Sequence, residues 1–102
     1  MELNNKTYVG TEMKYKVTIS ATGFNINNDD WNIEVFRGKT SRKFTKEECI
    51  HGLDGWYLCF DTTDFGPGLY YAILTAYVPD SDFPDGYRTE VKKLLLEPVE
   101  SL

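Results

Sequence analysis

From Met13 to Ser20 the chain alternates, with Met13, Tyr15, Val17 and Ile19 apolar and Lys14, Lys16, Thr18 and Ser20 polar between them. A period of two marks a strand with one face in a core and the other in water, so this stretch predicts the first firm strand. The ten residues before it are polar apart from Tyr8 and Val9, which reads as a flexible end or a short edge strand. Phe24 and Ile26 extend the alternation past Gly23, where a bend or bulge is expected, and Asn27-Asn28-Asp29-Asp30 makes a turn. Trp31, Ile33 and Val35 then alternate with Asn32 and Glu34, with Phe36 as an apolar residue on the polar face. Gly38 offers a tight turn into a strand carrying Arg42 and Phe44, and the two predict a hairpin. Thr45 stands three residues before Glu48 in the form of a capping box, but Gly52 limits any helix to one turn.

Trp56 to Phe60 is an apolar run between turn signals at Asp54-Gly55 and at Asp61 to Asp64, and it predicts an inner strand. Gly66-Pro67-Gly68 restrains the next corner. From Leu69 or Tyr70 the chain is apolar at both parities until Pro79, the pattern of a strand crossing the middle of a sheet. After Asp80 to Gly86, an acidic loop, Tyr87, Thr89, Val91 and Leu95 oppose Arg88, Glu90 and Lys92 in a last strand. Leu94-Leu95-Leu96 breaks strict alternation, so that end is expected to be covered on both sides or to meet another chain. Residues 98–102, with Pro98 and Glu100, read as a short flexible tail. Six to seven short strands and almost no helical pattern predict a single all-β domain over residues 1–102. The expected architecture is an antiparallel immunoglobulin-like β-sandwich, with a small closed β-barrel as the alternative. The disulfide that joins the sheets of immunoglobulin domains is not expected, since Cys49 falls in a loop. Trp31 or Trp56 remains as the core anchor.

Composition narrows the function more than it names it. With 102 residues, 41% hydrophobic and 15% aromatic, the chain has enough apolar surface for one core that folds alone. A net charge of -5, with lysines and arginines interspersed among acids, opposes a nucleic-acid partner. No run is long enough to span a bilayer, and the opening MELNNKTYVGTEMKYK lacks the apolar segment of a signal peptide, so no membrane is expected and the protein is expected in the cytoplasm. Cys49 and Cys59 are then expected to stay reduced, with Cys59, in WYLCF, a small buried hydrophobe. Two cysteines and His51 are too few and wrongly spaced for a structural zinc site, and no cofactor is expected.

Candidate chemistry is sparse. Asp80, Asp82 and Asp85 bring three carboxylates together, and such oxygens hold calcium. Yet the third Asp comes one residue late for an EF-hand, Pro84 interrupts, and Glu90 is too early for the closing ligand. A solvated turn accounts for the same residues. Cys49 and His51 are two apart and share a face if extended, but no third group orients the imidazole, so His51 reads as a surface residue and the protein as no enzyme. Tyr70 and Tyr71 are adjacent and point to opposite faces, so some tyrosine must face outward. Tyr70, Tyr71, Tyr77 and Tyr87 are the candidates for an interaction surface, toward another protein or a second copy in a homo-oligomer. A glycan- or cation-binding module using outward tyrosines and the acidic loop is the alternative.

The entry DDW at Asp29 to Trp31, the Trp56-Tyr57 strand followed by FGPG, and the ending AYVPDSDFPDGYRTEV carry a resemblance. The chain resembles small β-sandwich proteins encoded in bacterial prophage and mobile-element regions near tail and baseplate genes. It is also loosely similar in pattern to the N-terminal immunoglobulin-like domain of phage upper-baseplate proteins. The resemblance implies a structural or adaptor protein of a phage-like particle, and it carries over no catalytic residue.

Overall fold

In the computed structural model, which describes residues 6–102, the alternation becomes nine β segments. These are β1 (Thr7–Tyr8), β2 (Glu12–Val17), β3 (Trp31–Arg37), β4 (Thr40–Thr45), β5 (Ile50–Gly52), β6 (Gly55–Asp61), β7 (Tyr70–Pro79), β8 (Tyr87–Leu95) and β9 (Val99–Glu100). Seven of them have three residues or more, as expected. Single 3-10 turns at Lys46–Glu48 and Thr62–Asp64 are the only helical segments among the described residues. The first has the expected capping box, with Glu48 accepting from the Thr45 backbone N–H at 3.0 Å and from its hydroxyl at 3.1 Å.

One antiparallel sheet has the order β2-β6-β5 and the other β4-β3-β7-β8, while β1 and β9 form a short parallel pair. The fold is therefore all-β, and its sheets do not close on themselves. That overturns the closed-barrel alternative, because β2 and β5 end one sheet and β4 and β8 end the other without pairing across. The two inner faces supply the core. Met13 and Val17 of β2 and Leu58 and Phe60 of β6 cluster with Trp31, Ile33 and Val35 of β3 and with Tyr70, Ala72, Leu74 and Ala76 of β7. Trp31, fully buried, is the anchor. Its indole N–H donates to the Ile26 carbonyl at 3.1 Å, and its ring meets Trp56 edge to face at 5.6 Å, an arrangement that aromatic quadrupoles favour.

Several expectations change. The alternation at Phe24 and Ile26 is not a strand, since β2 ends at Val17 and the segment to Asp30 is a loop whose Ile19, Phe24 and Ile26 pack against the core. Its backbone is satisfied by turns instead of a ladder, with Phe24 N–H on Ala21 O at 3.1 Å and Asp29 N–H on Asn25 O at 2.8 Å. The stretch holding His51 is strand β5, not a loop, paired with β6. The cysteines exchange roles: Cys49 is buried, and Cys59, between inward Leu58 and Phe60, is carried outward by the strand period. Both are free. Burial first, and then the charges of Cys59, Glu48 and Glu47, push the Cys49 thiol up to about 11.

The corner before β7 is the most tightly bonded part of the frame. Tyr70 turns its ring into the core, only 1% exposed, and its hydroxyl donates to Gly66 O at 2.6 Å, with Thr62 O at 3.3 Å. Thr62 is itself fully buried, its hydroxyl donating to Thr11 O at 2.8 Å and accepting from Gly10 N–H at 3.0 Å. Arg37 lies over the same corner and donates from Nε to Phe65 O at 2.7 Å. Gly68 has φ +140°, and a Cβ there would fall 2.9 Å from Arg37 Cδ, so the position accepts only glycine without movement. Gly68 also exchanges two backbone hydrogen bonds with Val99, at 2.8 and 2.9 Å. The tail expected to be flexible is thus held at Val99, 3% exposed, and Val9 N–H donates to Glu100 O at 2.9 Å on the other side. Residues 1–5, part of the expected flexible N-terminal stretch, lie outside the described residues.

Candidate functional site

The two-residue period that buries Tyr70, Ala72, Leu74, Ala76 and Val78 sends Tyr71, Ile73, Thr75 and Tyr77 to the opposite side of β7. Among the described residues no second layer covers that side, because the three-stranded sheet packs on the other. The registers lay out its rows. One row across β4, β3, β7 and β8 reads Ser41, Phe36, Tyr71, Leu95, the next Lys43, Glu34, Ile73, Lys93, and the third Thr45, Asn32, Thr75, Val91. Phe36 and Tyr71 stack with centroids 4.8 Å apart and planes 3° from parallel, and Lys93 Nζ sits 4.4 Å from the Tyr71 ring centre. Beside them Leu95 is 83% exposed and Val91 60%. Exposed Leu95 and the Phe36–Tyr71 stack thus lie side by side in one row, with Lys93 between Leu95 and Val91 along β8.

The expected tyrosines divide. Tyr70 is removed from the interaction surface, since its parity joins it to the core and its hydroxyl is used by the corner. Tyr71 lies at the centre of the outer face. Tyr77 and Tyr87 meet edge to face at 5.4 Å nearer the loops. Of the residues that complete the patch, Phe36 carried a sequence signal, being apolar at a polar parity, whereas Val91 and Leu95 lie on the apolar side of the alternation expected for the last strand, and that side faces outward.

The acidic loop is explained by its own bonds. Asp80 accepts the Asp82 N–H at 3.0 Å and Arg88 Nη1 at 2.9 Å, and the loop closes through Asp80 N–H on Gly86 O at 2.9 Å. The Asp82 amide first, then Arg88, holds the Asp80 carboxyl below the usual range. Asp82 and Asp85 are exposed, and among the described residues no group of three His, Cys, Asp or Glu side chains is placed to hold a metal ion. The two polar loops do meet at one end of the molecule. Asn28, Asp29, Asp30 and Asn32 line an open cleft of about 460 Å³ together with Tyr77, Pro79, Gly86 and Tyr87, a juxtaposition that no sequence pattern announced.

A second cleft beside this loop end contains the one histidine. His51 stacks on Trp56 at 4.2 Å, Trp56 Nε1–H donates to Asn27 Oδ1 at 2.9 Å, and Lys46 Nζ, 5.3 Å from the Trp56 ring centre, donates to Asn27 O and Asp29 O at 2.7 and 2.9 Å. This stack holds the loop of residues 18–30 in place. His51 is exposed, as expected of a surface residue, while Cys49, just before β5, is buried. Tyr57 donates to Asp54 at 2.7 Å, which lowers the Asp54 carboxyl and raises the Tyr57 phenol. No helix among the described residues is long and apolar enough to cross a membrane. Comparison with protein-family models, curated proteins and solved structures finds no match for the chain.

Proposed function

We propose that this protein is a non-enzymatic structural or adaptor protein that acts through protein–protein contacts made by the outer face of the four-stranded sheet. The exposed apolar patch of Phe36, Tyr71, Val91 and Leu95 is the observation that carries the reading. The frame presenting it is immunoglobulin-like: a β4-β3-β7-β8 sheet over a β2-β6-β5 sheet, with a buried tyrosine at the start of β7 bonded back to the preceding corner, supports that assignment. The resemblance to prophage-encoded sandwiches supports a place in a phage-like particle, at the tail or baseplate.

A photo-crosslinking residue installed at Leu95 in producing cells, with Lys14 on the outward side of β2 as the comparison site, tests the reading. Crosslinked protein species at position 95 and not at 14 are expected. Their absence at 95, or the same species at both sites, refutes it. A second reading, a glycan- or cation-binding module, is favoured by the cleft where Tyr77 and Tyr87 stand beside Asn28, Asp29 and Asp30. A glycan array and calorimetric titration with calcium test it, and silence in both dismisses it.

A further inference from the structure

The outer face has a charge pattern as well as an apolar one. In its middle row Glu34 on β3 and Lys93 on β8 flank Ile73 on β7, one strand away on each side. Glu34 is half-buried and makes no ion pair or hydrogen bond among the described residues, although Lys43 is opposite it on β4. A half-buried carboxylate without a partner, set in an apolar face, is stabilised by an opposite charge brought to it.

Resting on the reading of this protein as one that works through protein contacts, we infer that the partner of this face is a second copy of the chain, docked face to face about a two-fold axis that runs along β7. Such an axis keeps each position along the strand and exchanges the two sides of β7. It therefore lays Glu34 over Lys93 of the second copy, and Lys93 over its Glu34. Ile73 meets Ile73, Tyr71 meets Tyr71, and Phe36 covers the exposed Leu95. The contact is isologous, so every favourable pair occurs twice. Moving the axis by half a strand spacing, to lie between β3 and β7, lays Lys43 over Lys93 and Glu34 over Ile73, while an axis between β4 and β3 lays Glu34 over Lys43 but overlaps only those two strands and leaves Tyr71, Ile73 and Leu95 uncovered. Charge match and cover of the apolar residues together select the axis along β7.

The area fits a reversible dimer. With the axis along β7, strands β3, β7 and β8 of the two copies overlap and β4 overhangs, so seven residues at about 3.4 Å each and three strands at about 4.8 Å make a contact of roughly 24 Å by about 14 Å. That is about 340 Å² in plan, below the about 800 Å² per partner of standard interfaces and in the size class of weak, transient contacts. The association is weak and reversible, with aligned sheets crossing at about 30° or less.

Sedimentation equilibrium of the full chain, from about 1 to about 500 µM, tests the inference over concentrations that reach a weak, reversible contact. The expected result is a monomer–dimer equilibrium that Glu34→Lys and Lys93→Glu each weaken by about tenfold or more, because each sets like charges opposite one another twice. The double variant E34K/K93E restores the dimer. An equimolar mixture of the two single variants also dimerises, since the two lysines that one variant carries at these positions then face the two carboxylates of the other. Melting curves establish that each single variant is folded, and Leu95→Ser, at an exposed position, gives a second way to weaken the contact. A wild-type chain that stays monomeric, a dimer indifferent to both charge reversals, or a mixture of the two variants that does not associate each overturns the inference. A monomer that nevertheless crosslinks to a different protein through position 95 overturns the second copy as partner and leaves the protein-contact reading standing.

Discussion

Replacing Tyr70 by phenylalanine takes one oxygen from the corner before β7 and leaves the ring in its place. The hydroxyl is the partner of Gly66 O, at 2.6 Å, whereas Thr62 O keeps the N–H groups of Phe65 and Gly66 as donors. One carbonyl therefore loses its bond. An orphaned buried acceptor costs about 1–3 kcal/mol, and since Gly66 is only half-buried the lower half of that range applies, about 1.5 kcal/mol. For a domain of this size the melting temperature falls by about 5–10 °C. Urea unfolding followed by tryptophan fluorescence measures the loss, and an unchanged slope against denaturant shows that both states are otherwise intact. Tyr71→Phe is the internal comparison, since the Tyr71 ring stacks on Phe36 and its hydroxyl has no part in the corner. It should stay within about 0.5 kcal/mol of the parent, as surface substitutions do. A Tyr70→Phe loss no larger than that of Tyr71→Phe would refute the assignment of the corner as a bonded element.

Stability should also fall in alkali. Burial first, then the charges around it, raises the Cys49 thiol from its ordinary 9.0 to about 11, and burial also raises the Tyr70 phenol. A raised folded pKa means that the unfolded chain releases the proton first, so the Cys49 contribution is full below pH 9 and is lost as pH rises through about 11, and the Tyr70 contribution is lost in the same direction, beginning above pH 10. Urea midpoints between pH 8 and pH 11 check this, and a flat profile contradicts it. A disulfide-exchange reagent should modify Cys59 in the native protein and Cys49 only after unfolding, counted as one reactive thiol and then two. Val99→Ala should cost about 1.5 kcal/mol in urea unfolding, at about 0.8 kcal/mol per buried methylene; a loss near zero would mean that β9 is not docked.

How far the sequence foretold the molecule depends on the kind of contact. Alternation from Met13 to Val17 and from Trp31 to Val35 located β2 and β3, because a half-buried strand has one apolar face and each residue declares its side. The same logic bears on β7, where Tyr70 shares parity with Ala72, Leu74, Ala76 and Val78, and Tyr71 with Ile73, Thr75 and Tyr77. Thr75 is the only non-aromatic polar clue that the second set faces water, too slight to separate two neighbouring tyrosines. Phe24 and Ile26 misled because apolar anchors of a packed loop can fall at strand spacing by chance. The outer face left its trace in Phe36, apolar at a polar parity, whereas Val91 and Leu95 kept the alternation of their strand and gave no sign that their side faces outward. The stack of His51, Trp56, Asn27 and Lys46 left none, since it joins four segments through single side chains with no common spacing.

The parallel pairing of β1 with β9 has a mechanical consequence. A pull applied through the chain before Thr7 and after Glu100 draws two strands that run in the same direction past each other along their length. The Val9 bond to Glu100, and the two bonds that fasten Val99 to Gly68, are then loaded together, in shear. A hairpin such as β3 and β4, pulled from its open end, parts one bond at a time. Tension along the chain is met first at this two-residue clasp, so the rate at which a stretched molecule gives way is set there, by a barrier to opening, and not by the strength of the core behind it.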